Sequence, residues 1–183
     1  MRAFVAIELP GEVKDYLYDL QNRFKKELRN DIIKISWVAK KNLHLTIKFL
    51  GEINEKKLEE IKERLIKIDF KPFELNIEEI GFFPSEEYLR VLFVSLHPED
   101  KVVKLQRMID EELLDISSKD QEFHAHVTLG RMKSVRDRER LKKVVLIDLE
   151  KIKFRVTEFV LMKSQLSRDG PKYFLLESFK GKS

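Results

Sequence analysis

Apolar and polar residues alternate along two stretches of the chain, His44-Leu45-Thr46-Ile47-Lys48-Phe49 and His126-Val127-Thr128-Leu129, and this period of two predicts strands. In each, an imidazole and a hydroxyl share one face while the aliphatic residues share the other. By the same alternation Lys48 joins His44 and Thr46, and Phe49 joins Leu45 and Ile47. Further strands are expected over Arg2 to Leu9, Ile35 to Val38, Leu43 to Leu50, Phe73 to Ile80, Leu89 to Leu96, Phe123 to Met132, Ile152 to Met162 and Tyr173 to Phe179. Apolar residues at three- and four-residue steps predict helices from Glu12 to Arg29, from an Asn54 cap to Ile68, and from Glu99 to Leu114. A capping box at Ser134-Val135-Arg136-Asp137 is expected to open another helix through Leu141 and Val145. Gly81 to Ser85 reads as a turn, and Ser167-Arg168-Asp169-Gly170-Pro171 as a hairpin.

The order repeats. Pro10 to Pro98 is 88 residues, His44 to His126 is 82, and Phe73 to Phe154 is 81, as the numbering gives directly. Two copies of strand, helix, His-x-Thr strand, helix, strand predict an α+β fold: a bilobed pseudo-twofold duplication in which two mainly antiparallel sheets line a central cleft, with helices outside. The pseudo-repeats run approximately 1–84 and 85–183, with strands free to exchange between lobes. No Pro/Ser/Gly-rich linker separates them, so a single compact two-lobed domain, acting as a monomer, is expected.

Composition narrows the chemistry. The 183 residues contain no cysteine, which excludes disulfides and thiol nucleophiles and points to a cytoplasmic setting. Uncharged runs stop at eight residues (Val91 to Pro98, Phe123 to Gly130), against roughly 18 for a membrane span. Charged residues make up 37% of the chain, a profile of surface ion-pair networks that suggests a thermophilic source. The net charge of +4 leans toward polyanions. There is no Gly-x-x-x-x-Gly-Lys-Ser/Thr loop for nucleotide phosphates.

Two histidines facing one cleft suit a reaction that removes one proton and delivers another, because a free imidazole near pKa 6.5 holds either form near neutrality. Phosphodiester cleavage is such a reaction, and Thr46 and Thr128 are placed to donate to non-bridging phosphate oxygens. His124 shares a face with His126, so a zinc site of His44, His124 and His126 is a second reading; a noncatalytic RNA-binding module is a third. Phe82 and Phe83 are candidates either for stacking a nucleobase or for plugging the core.

The chain resembles the RNA 2',3'-cyclic phosphodiesterases, also called 2'-5' RNA ligases, of the two-histidine phosphoesterase superfamily. The resemblance rests on Arg2-Ala3-Phe4-Val5-Ala6-Ile7, Trp37, Leu43 to Glu52, Gly81-Phe82-Phe83-Pro84, Phe123 to Arg131 and Gly170-Pro171-Lys172-Tyr173, in that order. It implies hydrolysis of RNA 2',3'-cyclic phosphate ends to 2'-phosphomonoesters, with no metal and no cofactor. It also implies the reverse, ATP-independent 2'-5' ligation of ends such as tRNA halves. By resemblance His44 is the proton donor, His126 the proton acceptor, and Thr46, Thr128 and Arg131 bind phosphate; the two motifs alone do not say which imidazole is the acid. Strand parity turns Arg131 away from His126 unless a bulge near Gly130 intervenes, so a phosphate-binding role and a surface ion pair both stay open.

Overall fold

A computed structural model describes residues 1–28, 31–85, 87–118, 122–168 and 170–182. The chain runs β1 (Arg2–Glu8), α1 (Gly11–Glu27), β2 (Ile33–Trp37), a 3-10 turn (Lys40–Asn42), β3 (His44–Glu52), α2 (Glu55–Leu65), β4 (Phe73–Pro84), β5 (Leu89–His97), α3 (Glu99–Glu112), β6 (His126–Val135), α4 (Arg138–Val145), β7 (Lys153–Val156), β8 (Glu158–Ser167) and β9 (Gly170–Lys180). The expected end of the first helix at Arg29, and Asp169 within the expected hairpin, lie outside the described residues.

All strand pairings are antiparallel, in the order β7-β4-β5-β6-β3-β1-β8-β9, with β2 also on β6. The two expected sheets are thus two half-sheets, β9-β8-β1-β3 and β6-β5-β4-β7, joined into one. Their junction is thin: β3 meets β6 at Leu45 opposite Val127.

The helices lie on one side of this sheet. Val13, Leu17, Leu20 and Phe24 of α1 and Val102, Leu105 and Ile109 of α3 pack with Leu45, Ile47, Val127 and Leu129 in the main core, which amphipathic stripes of this kind are built to do. A small separate cluster, Phe4, Ala6, Val160 and Met162 with Tyr173 against it, lies apart from the main core. The sheet thereby keeps its other face free of helices, and the paired motifs sit there.

Several boundaries depart from the sequence expectation. Ile152 to Met162 is not one strand: it breaks at Thr157 into β7, which pairs with β4, and β8, which pairs with β1 in the opposite half-sheet. A continuous apolar-rich run carries no mark of a change of partner. Gly81 to Pro84 is not a turn but the end of β4, where Gly81 pairs with Phe93 and Phe83 with Val91. Its glycine serves close approach, since a Cβ there would lie 2.5 Å from Cζ of Phe93. Ser134 and Val135 extend β6, and Asp137 alone caps α4, accepting from the Arg140 N–H at 2.9 Å. Asn54 caps α2 as expected, accepting from the Lys57 N–H at 2.9 Å.

Candidate active site

The register at Leu45–Val127, continued one residue each way, sets His44 beside Thr128 and Thr46 beside His126 on the face opposite the core. The four residues of the two motifs therefore share one patch at the junction of the half-sheets. The imidazoles sense each other, His126 being one of the charges that act on His44.

Both rings are fixed by one device used twice. His44 Nδ1 lies 2.6 Å from the Asn42 carbonyl and His126 Nδ1 lies 2.7 Å from the His124 carbonyl, in each case two residues back. A carbonyl oxygen only accepts, so both Nδ1 atoms carry the proton and Nε2 is the titrating atom in each ring. Thr46 Oγ1 is 2.9 Å from His44 Nε2 and donates to it while the ring is neutral. Asn42 is held in turn, donating through Nδ2 to the Pro171 carbonyl at 2.8 Å.

Aromatic rings wall each imidazole. His44 packs on Phe4 (centroids 5.1 Å apart) and edge-on against Tyr173 (5.2 Å). His126 packs edge-on against Phe83 (4.8 Å) and Phe93 (5.4 Å), which stack on each other at 4.0 Å. Phe83 thus belongs to the wall of the site, and Phe82 packs against the main core. Burial among these rings is the largest influence on both histidines and pushes each below its ordinary value, because the charged imidazolium loses water. The carbonyls of Asn42 and His124 act in the opposite sense, as do Glu8 on His44 and Glu99 on His126.

A bulge follows each motif. Ala6 pairs with Thr46 but Val5 with Lys48, so Ile47 is the extra residue in β3; Phe93 pairs with Thr128 but Leu92 with Gly130, so Leu129 is the extra residue in β6. Each bulge reverses the alternation beyond it. Arg131 consequently turns to the side of His126, close enough to influence both His126 and Tyr173. The same reversal corrects the expectation for Lys48. It is 0% exposed, its ammonium donating to Asp110, itself 1% exposed, and to the Ser118 carbonyl at 2.7 Å. It cannot reach a substrate on the other face, whereas Phe49 takes its place there, 6.3 Å from Phe4 and 65% exposed.

Tyr173 and Asn42 are the residues that sequence reasoning undervalued. Tyr173 was visible only as the end of Gly-Pro-Lys-Tyr; its phenol is pushed up by burial, with Arg131 acting the other way. Asn42 acts through a backbone carbonyl, which leaves no trace in residue type. For the zinc reading, His124 is exposed and gives the site its carbonyl, and among the described residues no group of three or more His, Cys, Asp or Glu has metal-holding geometry.

Two imidazoles, each held at Nδ1 by a backbone carbonyl and each two residues before a strand threonine, on one curled antiparallel sheet define a two-histidine phosphoesterase. The sequence matches the family described as LigT like Phosphoesterase twice, over residues 7–93 and 94–173, and the chain belongs to that family. Each matched segment contains one His-x-Thr unit. Among similar proteins, the RNA 2',3'-cyclic phosphodiesterase of Methanocaldococcus jannaschii is 32% identical over 98% of this chain and 100% of its own. That of Thermotoga maritima is 31% identical over 96% of this chain and 93% of its own. Among solved structures, TT0787 of Thermus thermophilus superposes with a TM-score of 0.84 at 28% identity, covering 100% of both chains. Escherichia coli LigT in apo form follows with 0.79 at 25% identity, covering 100% of this chain and 98% of its own.

Proposed function

We propose that the chain hydrolyses RNA 2',3'-cyclic phosphate ends to 2'-phosphomonoesters by metal-independent acid-base catalysis. The observation that carries this reading is the pair of Nε2 atoms, each made the reactive nitrogen by a backbone carbonyl behind it, on adjacent strands of one face. His126 takes the proton from water as it attacks phosphorus; the P–O3' bond breaks, and His44 delivers its proton to the departing 3'-oxygen. Thr46, Thr128 and Arg131 donate to the non-bridging oxygens where charge builds. With an RNA 5'-hydroxyl in place of water, the same steps in the same direction join ends such as tRNA halves through a 2'-5' bond: His126 takes the 5'-hydroxyl proton, the P–O3' bond breaks, and the strained cyclic phosphate supplies the energy. We further propose one bilobed monomeric unit over residues 1–183, working in the cytoplasm; the lack of cysteine supports the setting. Among the described residues no helix is long and apolar enough to cross a membrane.

The test is an oligonucleotide ending in a 2',3'-cyclic phosphate, incubated in EDTA, with the product's phosphate position read by mass and nuclease mapping. A 2'-phosphate is expected, and His44→Ala and His126→Ala should each lower kcat by roughly 10² to 10⁴ with RNA binding retained. A 3'-phosphate product, or inactivation by EDTA, overturns the reading. The roles separate with a cyclic substrate whose 3'-oxygen is replaced by sulfur: a thiolate leaves without an acid, so it should rescue His44→Ala and not His126→Ala. Rescue of the other variant reverses the assignment.

A further inference from the structure

A cavity of about 440 Å³ opens along the free face of β1, β8 and β9, on the His44 side of the site. That volume falls within the range of small-molecule sites. It shares Asn42 and Tyr173 with the site itself. Its floor is apolar, made by Val160 and Met162 of β8 and by Leu175 of β9, which is 60% exposed. Its rim carries the exposed ammonium groups of Lys41 and Lys172. Two carboxylates also line it, but they differ in state. Glu8 is neutralised by Lys14 at 2.8 Å, whereas no ion pair holds Glu158 among the described residues.

On the other side of the site, Phe83 and Phe93 pack edge-on against His126. The polarity of the groove matches one nucleotide. A flat apolar floor takes the face of a base, a carboxylate accepts from a ring or exocyclic N–H, and two cations at the mouth take a phosphodiester. A groove built for a second phosphate would not place Glu158 within it.

Resting on the proposed reaction, we propose that this groove holds the nucleotide on the 5' side of the one bearing the cyclic phosphate. With His44 at the departing 3'-oxygen, the terminal ribose lies on the His44 side, and the groove is the free space its 5'-linkage enters. The substrate class is therefore an oligonucleotide with at least one residue upstream of the cyclic end, bound in preference to a nucleoside 2',3'-cyclic monophosphate.

The experiment compares kcat/KM for a nucleoside 2',3'-cyclic monophosphate and for a dinucleotide ending in the same cyclic nucleoside. The variants are Lys41→Ala, Lys172→Ala and Leu175→Trp, all at exposed positions that leave folding undisturbed, which circular dichroism verifies. The dinucleotide is expected to be preferred by about tenfold or more, the scale of one stacked base with one phosphate contact. Filling the groove with Trp, or removing both lysines together, should abolish that preference by lowering only the dinucleotide's value. Equal values for the two substrates in the wild type, or equal losses on both in the variants, overturn the proposal. Neither outcome touches the proposed reaction, which stands as long as either substrate is hydrolysed to a 2'-phosphate in EDTA.

Discussion

Replacing Lys48 by Met separates a residue of the site from a residue beneath it. Lys48 and Asp110 are 0% and 1% exposed, and the second carboxylate oxygen of Asp110 accepts from Gln106 at 2.6 Å. Methionine removes the ammonium and leaves the carboxylate buried opposite an apolar chain. Losing one partner of such a pair costs about 3–5 kcal/mol, because the remaining charge is uncompensated. With an m-value of about 2 kcal/mol/M, the urea midpoint should fall by about 2 M. Asn at position 110 keeps an acceptor for Gln106, so adding Asp110→Asn to Lys48→Met should recover stability, with a coupling of about 2 kcal/mol or more in the double-mutant cycle. Turnover of the folded fraction should change by no more than a few fold. A cost below about 1 kcal/mol, additive single effects, or a large loss of kcat/KM with an unmoved urea midpoint would return Lys48 to the site face and refute the bulge argument.

Both imidazoles lie below the usual value through burial, so on the proposed mechanism the bell-shaped kcat/KM profile should peak below about pH 6.5; a maximum above pH 7 contradicts this. The unfolded chain then binds more protons than the folded one below about pH 6.5, so stability falls as pH drops through that window, and His44→Gln should flatten the fall seen in thermal melts. Tyr173→Phe keeps the rings on Phe4 and His44 and should hold stability within about 0.5 kcal/mol, whereas Tyr173→Ala loses both contacts, at 5.0 and 5.2 Å, and should cost about 1–2 kcal/mol in the same assay. Gly81→Ala drives a methyl into Phe93, 2.5 Å away, and Phe93 walls His126; overpacking should cost about 1–3 kcal/mol and displacement of His126 should lower kcat/KM about tenfold or more in steady-state assays.

The elements of the fold and the two His-x-Thr units were legible because period two and period 3.6 reflect burial on one face. What escaped was everything that breaks a period. Ile47 and Leu129 are ordinary apolar strand residues, and nothing in their type announces that they are extra, so alternation carried past them misplaced Lys48 and left Arg131 open. Gly130 was the one hint, and the structure explains it: a Cβ there would meet Ile35 at 2.5 Å, where β2 lies on β6. Thr157 escaped for a different reason, since exchange of a strand between half-sheets depends on which partner has an open edge, not on the strand's own residues. Tyr173 reaches His44 across 129 positions of sequence, which no local pattern encodes.

The repeat offset of 82 pairs Ile47 with Leu129, Lys48 with Gly130 and Phe49 with Arg131. The bulge falls at the same place in both copies, so one backbone device, inherited twice, delivers the fifth residue after each histidine to the working face. Backbone symmetry alone would make the two imidazoles equivalent, and a reaction that needs one acid and one base cannot run on equivalence. Direction must come from side chains that differ between the copies. The histidines themselves do not differ, nor do the carbonyls behind them. What differs includes an aromatic ring, Phe49, where the other copy has the guanidinium of Arg131, and the groove along β1, β8 and β9 on the His44 side. On the proposed reaction, where the nucleotide lies then helps to set the sense of proton transfer. Changing Phe49 should therefore alter which substrates are used before it alters how either imidazole titrates, whereas changing Arg131 also relieves its charge on His126.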